Sequence, residues 1–238
     1  MRGHGGSSVA VAFSPRGSGQ QFFDPDPEED KTAPDGVWKP EGPFDLRLYN
    51  FGRFPDTSVW QPGDLLLFSK VHPSWGSRRI IHCQCRGGYA HVYDACWHHA
   101  AVYLGDESLC EATPIWVRHG RIDPYIGEYF VRIRRDYSLT PNQGWRIAIN
   151  ALTRVGTPYS LPGIARLGFQ SMRGYWKPWP GTSRLGARSV VCSKLYAEAY
   201  TAVTGRTLEN SVGNETTPAF LSRTSQLKDV PTTWLRIA

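Results

Sequence analysis

Residues 96–111, CWHHAAVYLGDESLCE, read as a β-hairpin that carries reactive side chains. His98 and His99 open one strand, Gly105-Asp106 supplies turn residues, and Glu111 sits on the return strand. Side chains alternate along each strand, so the turn length decides which histidine shares a face with the carboxylate. A three-residue loop, Leu104-Gly105-Asp106, sets His99 opposite Glu111. A two-residue turn, Gly105-Asp106, sets Ala100 opposite Glu111 and turns His98 to its face. Glycine suits both turns, and local chemistry leaves the choice open.

Working outward, WQPGDLLLFSK reads as a turn at Pro62-Gly63-Asp64 feeding an apolar strand from Leu65 to Ser69. Residues 70–96 give mixed signals and are expected to form a long loop or insertion before the hairpin. GEYFVRIRRD, at 127–136, reads as another strand. QGWRIAINALTRV, at 143–155, has apolar residues at helical spacing, with a start signal at Thr140-Pro141-Asn142 and a break at Gly156. A Gly/Pro/aromatic loop at 168–189 precedes SVVCSKLYAEAYTAVTG, whose periodicity through Leu195, Ala199 and Val203 predicts a helix ending at Gly205. Residues 1–43 are rich in Gly, Ser, Pro and acidic residues and are expected to be a disordered or loosely attached arm. Strands first and helices last predict one α+β domain over 44–238.

A chain of 238 residues, 40% hydrophobic and 20% charged, has ample length for a core. Nine Trp and eleven Tyr read first as core filler, with cleft lining as the alternative. Lys and Arg number 27 against 21 Asp and Glu, a net +6 that favours an anionic partner such as a bacterial wall or an acidic membrane surface. No basic run with interleaved aromatics marks a nucleic-acid face, so nucleic acid is not expected as a partner. No apolar run reaches the roughly 18 residues of a membrane span. The apolar patch Val9 to Phe13 falls short of the roughly 7 residues of a secretory core. The expected location is cytoplasmic, or outside by a specialised export route.

Five cysteines, at 83, 85, 96, 110 and 192, fit free thiols better than a disulfide framework. His82, Cys83, Cys85, Cys96 and His98 offer soft metal ligands, and a non-catalytic metal-binding or interaction module is the competing reading. Cys-x-Cys is nevertheless tighter than the usual zinc spacing of Cys-x₂₋₄-Cys. Cys192 is the stronger candidate for chemistry. It sits at a helix start, where the dipole lowers a thiol pKa and unpaired amides can stabilise an oxyanion. Such a thiol needs an imidazole, and the imidazole needs a third group to orient it.

The order of these pieces resembles the circularly permuted NlpC/P60 papain-like hydrolases, closest to their YiiX-like branch, with lecithin:retinol acyltransferase-like proteins more distant. QPGDLLLF is similar to the family's opening Gly-Asp strand and HAAVYLG to its histidine strand. CEATP resembles the strand with the third polar residue, and GTPYSL the Gly-x-x-Tyr segment. VVCSKLYAEAY resembles the nucleophile helix, and TPAFLSRTSQLKDV the trailing segment. The resemblance covers 58–231 in order. Ser160 stands where the family often has Asp, and the arm before residue 44 has no counterpart.

The resemblance implies a permuted papain-like α+β fold: an antiparallel sheet or small barrel packed on a nucleophile-bearing helix. It implies Cys192 as nucleophile, His99 as general base and Glu111 as the orienting group, which favours the three-residue loop. Ser193, Tyr159 and Trp176 are the expected oxyanion or substrate-binding positions. No metal or other cofactor is implied. The expected activity is amide hydrolysis through an acyl-thioester, with a peptidoglycan peptide as substrate. A lipid acyl group is the alternative, met through the tryptophans of GYWKPWPG at a membrane interface.

Overall fold

The computed structural model describes residues 53–70, 72–86, 92–125, 129–158, 192–208, 216–231 and 234–236. The arm expected at 1–43 and the aromatic loop at 168–189 lie outside these residues. The described part is α+β. Six strands form one antiparallel sheet: β2 (Leu65–Lys70), β3 (His99–Gly105), β4 (Ser108–Ala112), β5 (Val117–Arg121), β6 (Tyr129–Arg135) and β7 (Lys228–Asp229). Their spatial order is β5-β4-β3-β2-β6-β7. A separate antiparallel pair joins β1 (Arg53–Pro55) to β8 (Trp234–Arg236).

β2 is the centre of the sheet, and Leu65, Leu66, Leu67 and Phe68 are all fully buried. A strand buried on both faces reads as a continuous apolar run, which explains why LLLF shows no alternation. Its register pairs Leu66 with Ala101 and Ile133, and Phe68 with His99 and Val131. One face of the sheet therefore carries Leu66, Phe68, His99, Ala101, Val131 and Ile133. The other carries Leu65, Leu67, Ala100, Val102 and Cys110.

Helix α3 (Pro141–Leu152) and helix α4 (Cys192–Thr204) pack on each other and on β3. The Cys110 thiol donates to the Ala151 carbonyl of α3 at 3.4 Å. Thr140 caps α3 through a reciprocal capping box with Gln143, and Gly205, at φ +68, follows the last residue of α4. The turn before β2 meets α3 backbone to backbone. Gly63 has φ +89, and a Cβ there would lie 2.4 Å from the Gly144 carbonyl oxygen. Gly63→Ala is expected to cost about 2–4 kcal/mol, because strain and overlap act together. Urea unfolding measures this, and an unchanged midpoint would show that the turn and α3 do not need their close approach.

Residues 70–96 are not a long loop. They contain α1 (Trp75–Arg86) and the short α2 (Val92–Ala95). The inward-facing positions of α1 centre on Ile81 and Gln84, and Gln84 is 1% exposed. Its amide donates to the carbonyls of Ala95 (2.8 Å) and Trp97 (2.7 Å), and its oxygen accepts from the Ala219 N–H at 3.0 Å. A polar anchor replaces the apolar residue that hydrophobic periodicity looks for, which is why the helix was hidden.

The trailing segment forms α5 (Pro218–Arg223), capped by Thr217. Two buried arginines of β6 hold it. Arg132 bonds Asp229 at 2.6 and 2.9 Å and Ser222 at 2.7 Å, while Arg134 takes the carbonyls of Leu221, Ser222 and Leu227. The arginines thus satisfy orphan carbonyls at the helix end that water would otherwise need to reach.

Candidate active site

The hairpin turn is neither of the two that the sequence allows. Asp106 and Glu107 form it, both at positive φ (48° and 58°), as a two-residue primed turn demands. Gly105 pairs with Ser108, and the register shifts between Tyr103 and Gly105. This β-bulge takes up one residue of β3 and reverses the parity of everything before it. Ala101, not His99, lies directly opposite Glu111. His99 is on the same face, two residues along, a diagonal distance of about 7–8 Å that His and Glu side chains together span. Their bond, His99 Nε2 to Glu111 Oε2, is 2.6 Å.

Glu111 is 1% exposed and its two oxygens are fully engaged. Oε1 accepts from Arg118 Nε (3.0 Å) and Nη2 (2.8 Å), and Oε2 accepts from His99 and from the Tyr125 hydroxyl. Burial by itself would raise this carboxyl's pKa. His99, Tyr125 and Arg118 outweigh it and bring the value down to about 2. Arg118 stands opposite Glu111 in the β4–β5 register. Tyr125 comes from the 3-10 turn Asp123–Tyr125, stacks on Phe68 at 4.0 Å and lies parallel to the His99 ring at 6.2 Å.

Neither Arg118 nor Tyr125 figured in the sequence reading. The Arg118 signal was present: a turn at Thr113–Trp116 makes a second hairpin that sets an Arg against the Glu. RIDPYIG carries no periodicity that marks Tyr125.

The first residue of α4 meets the first residue of β3. The Cys192 side chain hydrogen-bonds His99, and the backbone N–H groups of Ala100 and Ser193 also bond its sulfur. Because Glu111 occupies Nε2, Nδ1 is the nitrogen left for the sulfur. Burial would raise the Cys192 pKa, yet His99 and the two amides hold it below the ordinary thiol value. Burial would likewise lower His99, but the sulfur and then Glu111 raise it to about 10. Both directions favour a thiolate beside an imidazolium, and Glu111 holds the second ring nitrogen.

Ser193 is 1% exposed, and its hydroxyl donates to the Thr216 carbonyl at 2.8 Å. Its contribution at the sulfur is therefore its backbone amide, not its side chain. His98 is buried on a different set of partners, and its Nε2 accepts from the Lys70 N–H at 2.9 Å. Burial, and then the adjacent His99 charge, push its pKa down to about 3, so it stays neutral. Tyr159 and Trp176 lie outside the described residues.

The soft ligands weighed for zinc do not assemble among the described residues. Cys83 and Cys85 are two positions apart on α1 and point to different sides, one half-buried and one exposed. His98 has its Nε2 committed to the Lys70 N–H. No group of three or more His, Cys, Asp or Glu that could hold a metal ion occurs among the described residues. All five cysteines are free thiols. No helix of the described residues is long and apolar enough to cross a membrane.

No protein-family model matches the sequence, and no curated protein matches it. Among solved structures, the chain is similar to the metalloprotein YiiX of Escherichia coli O157:H7. The two share 14% identity at a TM-score of 0.49, over 74% of this chain and 98% of that one. Likeness at this level assigns no chemistry to the chain.

Proposed function

We propose that the chain is a cysteine hydrolase of the permuted NlpC/P60 kind, cleaving an amide bond through an acyl-thioester. One observation carries the reading: a helix-start thiol bonded to an imidazole whose far nitrogen is held by a buried carboxylate. In this mechanism the Cys192 thiolate attacks the substrate carbonyl carbon. The oxyanion forms against the first-turn amides of α4, which have no partner within the helix. His99 gives its Nδ1 proton to the departing amine, leaving a thioester on Cys192. Water then attacks, His99 takes its proton, and the acid is released with the thiolate restored. Glu111 keeps the ring in place throughout, and Arg118 and Tyr125 keep Glu111 in place.

The substrate class proposed is a bacterial-wall peptide, for which the net charge of +6 provides attraction to an anionic polymer. Incubation with muropeptides and, separately, with phospholipids tests it. A new amine terminus from muropeptides supports the reading, and free fatty acid from phospholipid in its place overturns it.

The site itself is tested by a thiol-reactive acyl probe at neutral pH. Cys192 is expected to label far faster than Cys83 or Cys85, and to lose that advantage in His99→Ala but not in His98→Ala. Equal loss in the two histidine variants would remove His99 from the role assigned to it.

A further inference from the structure

The turn end of β3 lies one strand length from His99, six residues or about 20 Å away. There the hairpin borders a cavity of ≈ 570 Å³, within the size range of small-molecule sites. Trp60 and Tyr103 are among its lining residues, packed edge to face at 5.4 Å and only 5% and 3% exposed. The Tyr103 hydroxyl accepts from the Glu107 N–H at 3.2 Å and interacts with the Thr57 side chain, which fixes the ring. Trp145 of α3 is another lining residue, and its indole is 51% exposed.

Asp106 and Glu107 bring two carboxylates to this aromatic setting. Both are held at positive φ, where a side-chain residue costs about 1 kcal/mol or more relative to glycine. Glu107 is paired with Arg121 at 2.9 Å, whereas Asp106 is exposed. Among the described residues none that line the cavity is basic, although the chain as a whole carries a net +6. Aromatic side chains beside an exposed carboxylate, with Arg121 engaged by Glu107 and Asp123, match one ligand chemistry.

We propose that this cavity binds an organic cation, either a small quaternary ammonium or the ammonium of a lysine side chain. The charge meets Asp106, and the carbons around it meet Trp145. The site is separate from Cys192 and does not depend on the thiol chemistry.

Calorimetric titration of the full chain tests it with three probes: choline, Nα-acetyl-lysine amide, and 3,3-dimethylbutan-1-ol, the neutral isostere of choline. One or both cations are expected to bind at least about tenfold more tightly than the isostere. Tighter binding of the lysine derivative assigns the site to a peptide side chain, and tighter binding of choline to a free ammonium. Asp106→Asn keeps a residue that tolerates left-handed backbone, so the turn survives while cation affinity falls about tenfold. Trp145→Ala, at an exposed position, is expected to weaken binding similarly, and Cys192→Ala to bind as the unaltered chain does. Isostere binding as tight as choline, no cation binding up to about 10 mM, or unchanged affinity in both Asp106→Asn and Trp145→Ala overturns the proposal.

Discussion

Cys192→Ala is expected to abolish amide hydrolysis, a loss of at least about 10⁴-fold, while the protein stays folded. Among the described residues the thiol is the group at the helix start that the proposed mechanism makes covalent, and the neighbouring Ser193 hydroxyl is engaged by the Thr216 carbonyl. Folding should survive because the change removes one small, buried side chain and leaves His99 its bond to Glu111. Thermal unfolding and turnover, measured on the same preparation, separate the two effects. The loss of the thiolate should also lower the His99 pKa, since the sulfur is the foremost of the groups that raise it. Turnover retained in a folded Cys192→Ala protein would end the thiol reading.

Glu111→Gln should cost about 10²-fold or more in turnover and move the alkaline limb of the pH profile toward neutrality. The isosteric amide keeps the shape but removes the charge that His99, Tyr125 and Arg118 surround. Arg118 is half exposed and can turn to water, so the variant need not unfold. In the unaltered chain, activity is expected to fall as pH rises through about 10, where His99 loses the proton it donates. Without the carboxylate that limb shifts downward, whereas a merely structural role for Glu111 would leave it in place.

Stability carries its own sign. The Glu111 pKa is depressed to about 2, so its contribution is present above the ordinary glutamate value and is lost as pH falls through about 2. His99 is raised, so its contribution is present below the ordinary histidine value and is lost as pH rises through about 10. The His99–Glu111 bond enters both shifts and counts once, while Cys192 is the foremost of the groups that raise His99. Glu111→Gln should flatten the acid limb of urea stability, and an unaltered limb would show that the carboxylate is not the group responsible.

Much of the candidate site was legible because its parts obey local rules. Thr140-Pro141-Asn142 marks the start of α3, Gly205 marks the end of α4, and the apolar LLLF run marks a strand. The placement of Cys192 at a helix start follows from periodicity alone. Helix α1 escaped notice because its inward anchor is Gln84, whose value lies in three bonds to distant backbone. Tyr125 escaped because a single 3-10 turn leaves no period to detect.

The histidine question shows where local rules end. The residues of the hairpin permitted two turns, and the resemblance selected the face of His99 by way of a loop that does not occur. A bulge after Tyr103 and a turn at Asp106-Glu107 reach the same face by a different register. By itself the sequence determined the reactive residue types, the strands and helices that carry them, and their order along the chain. The tertiary structure alone decided that Ala101 opposes Glu111, that Arg118 and Tyr125 complete the carboxylate's shell, and that Ser193 spends its hydroxyl on Thr216. The physical reason is range. Propensity and periodicity act over one or two turns of chain, whereas a bulge is held by contacts such as Ile122 to Glu107 and Arg121 to Glu107, which exist only once the strands have paired.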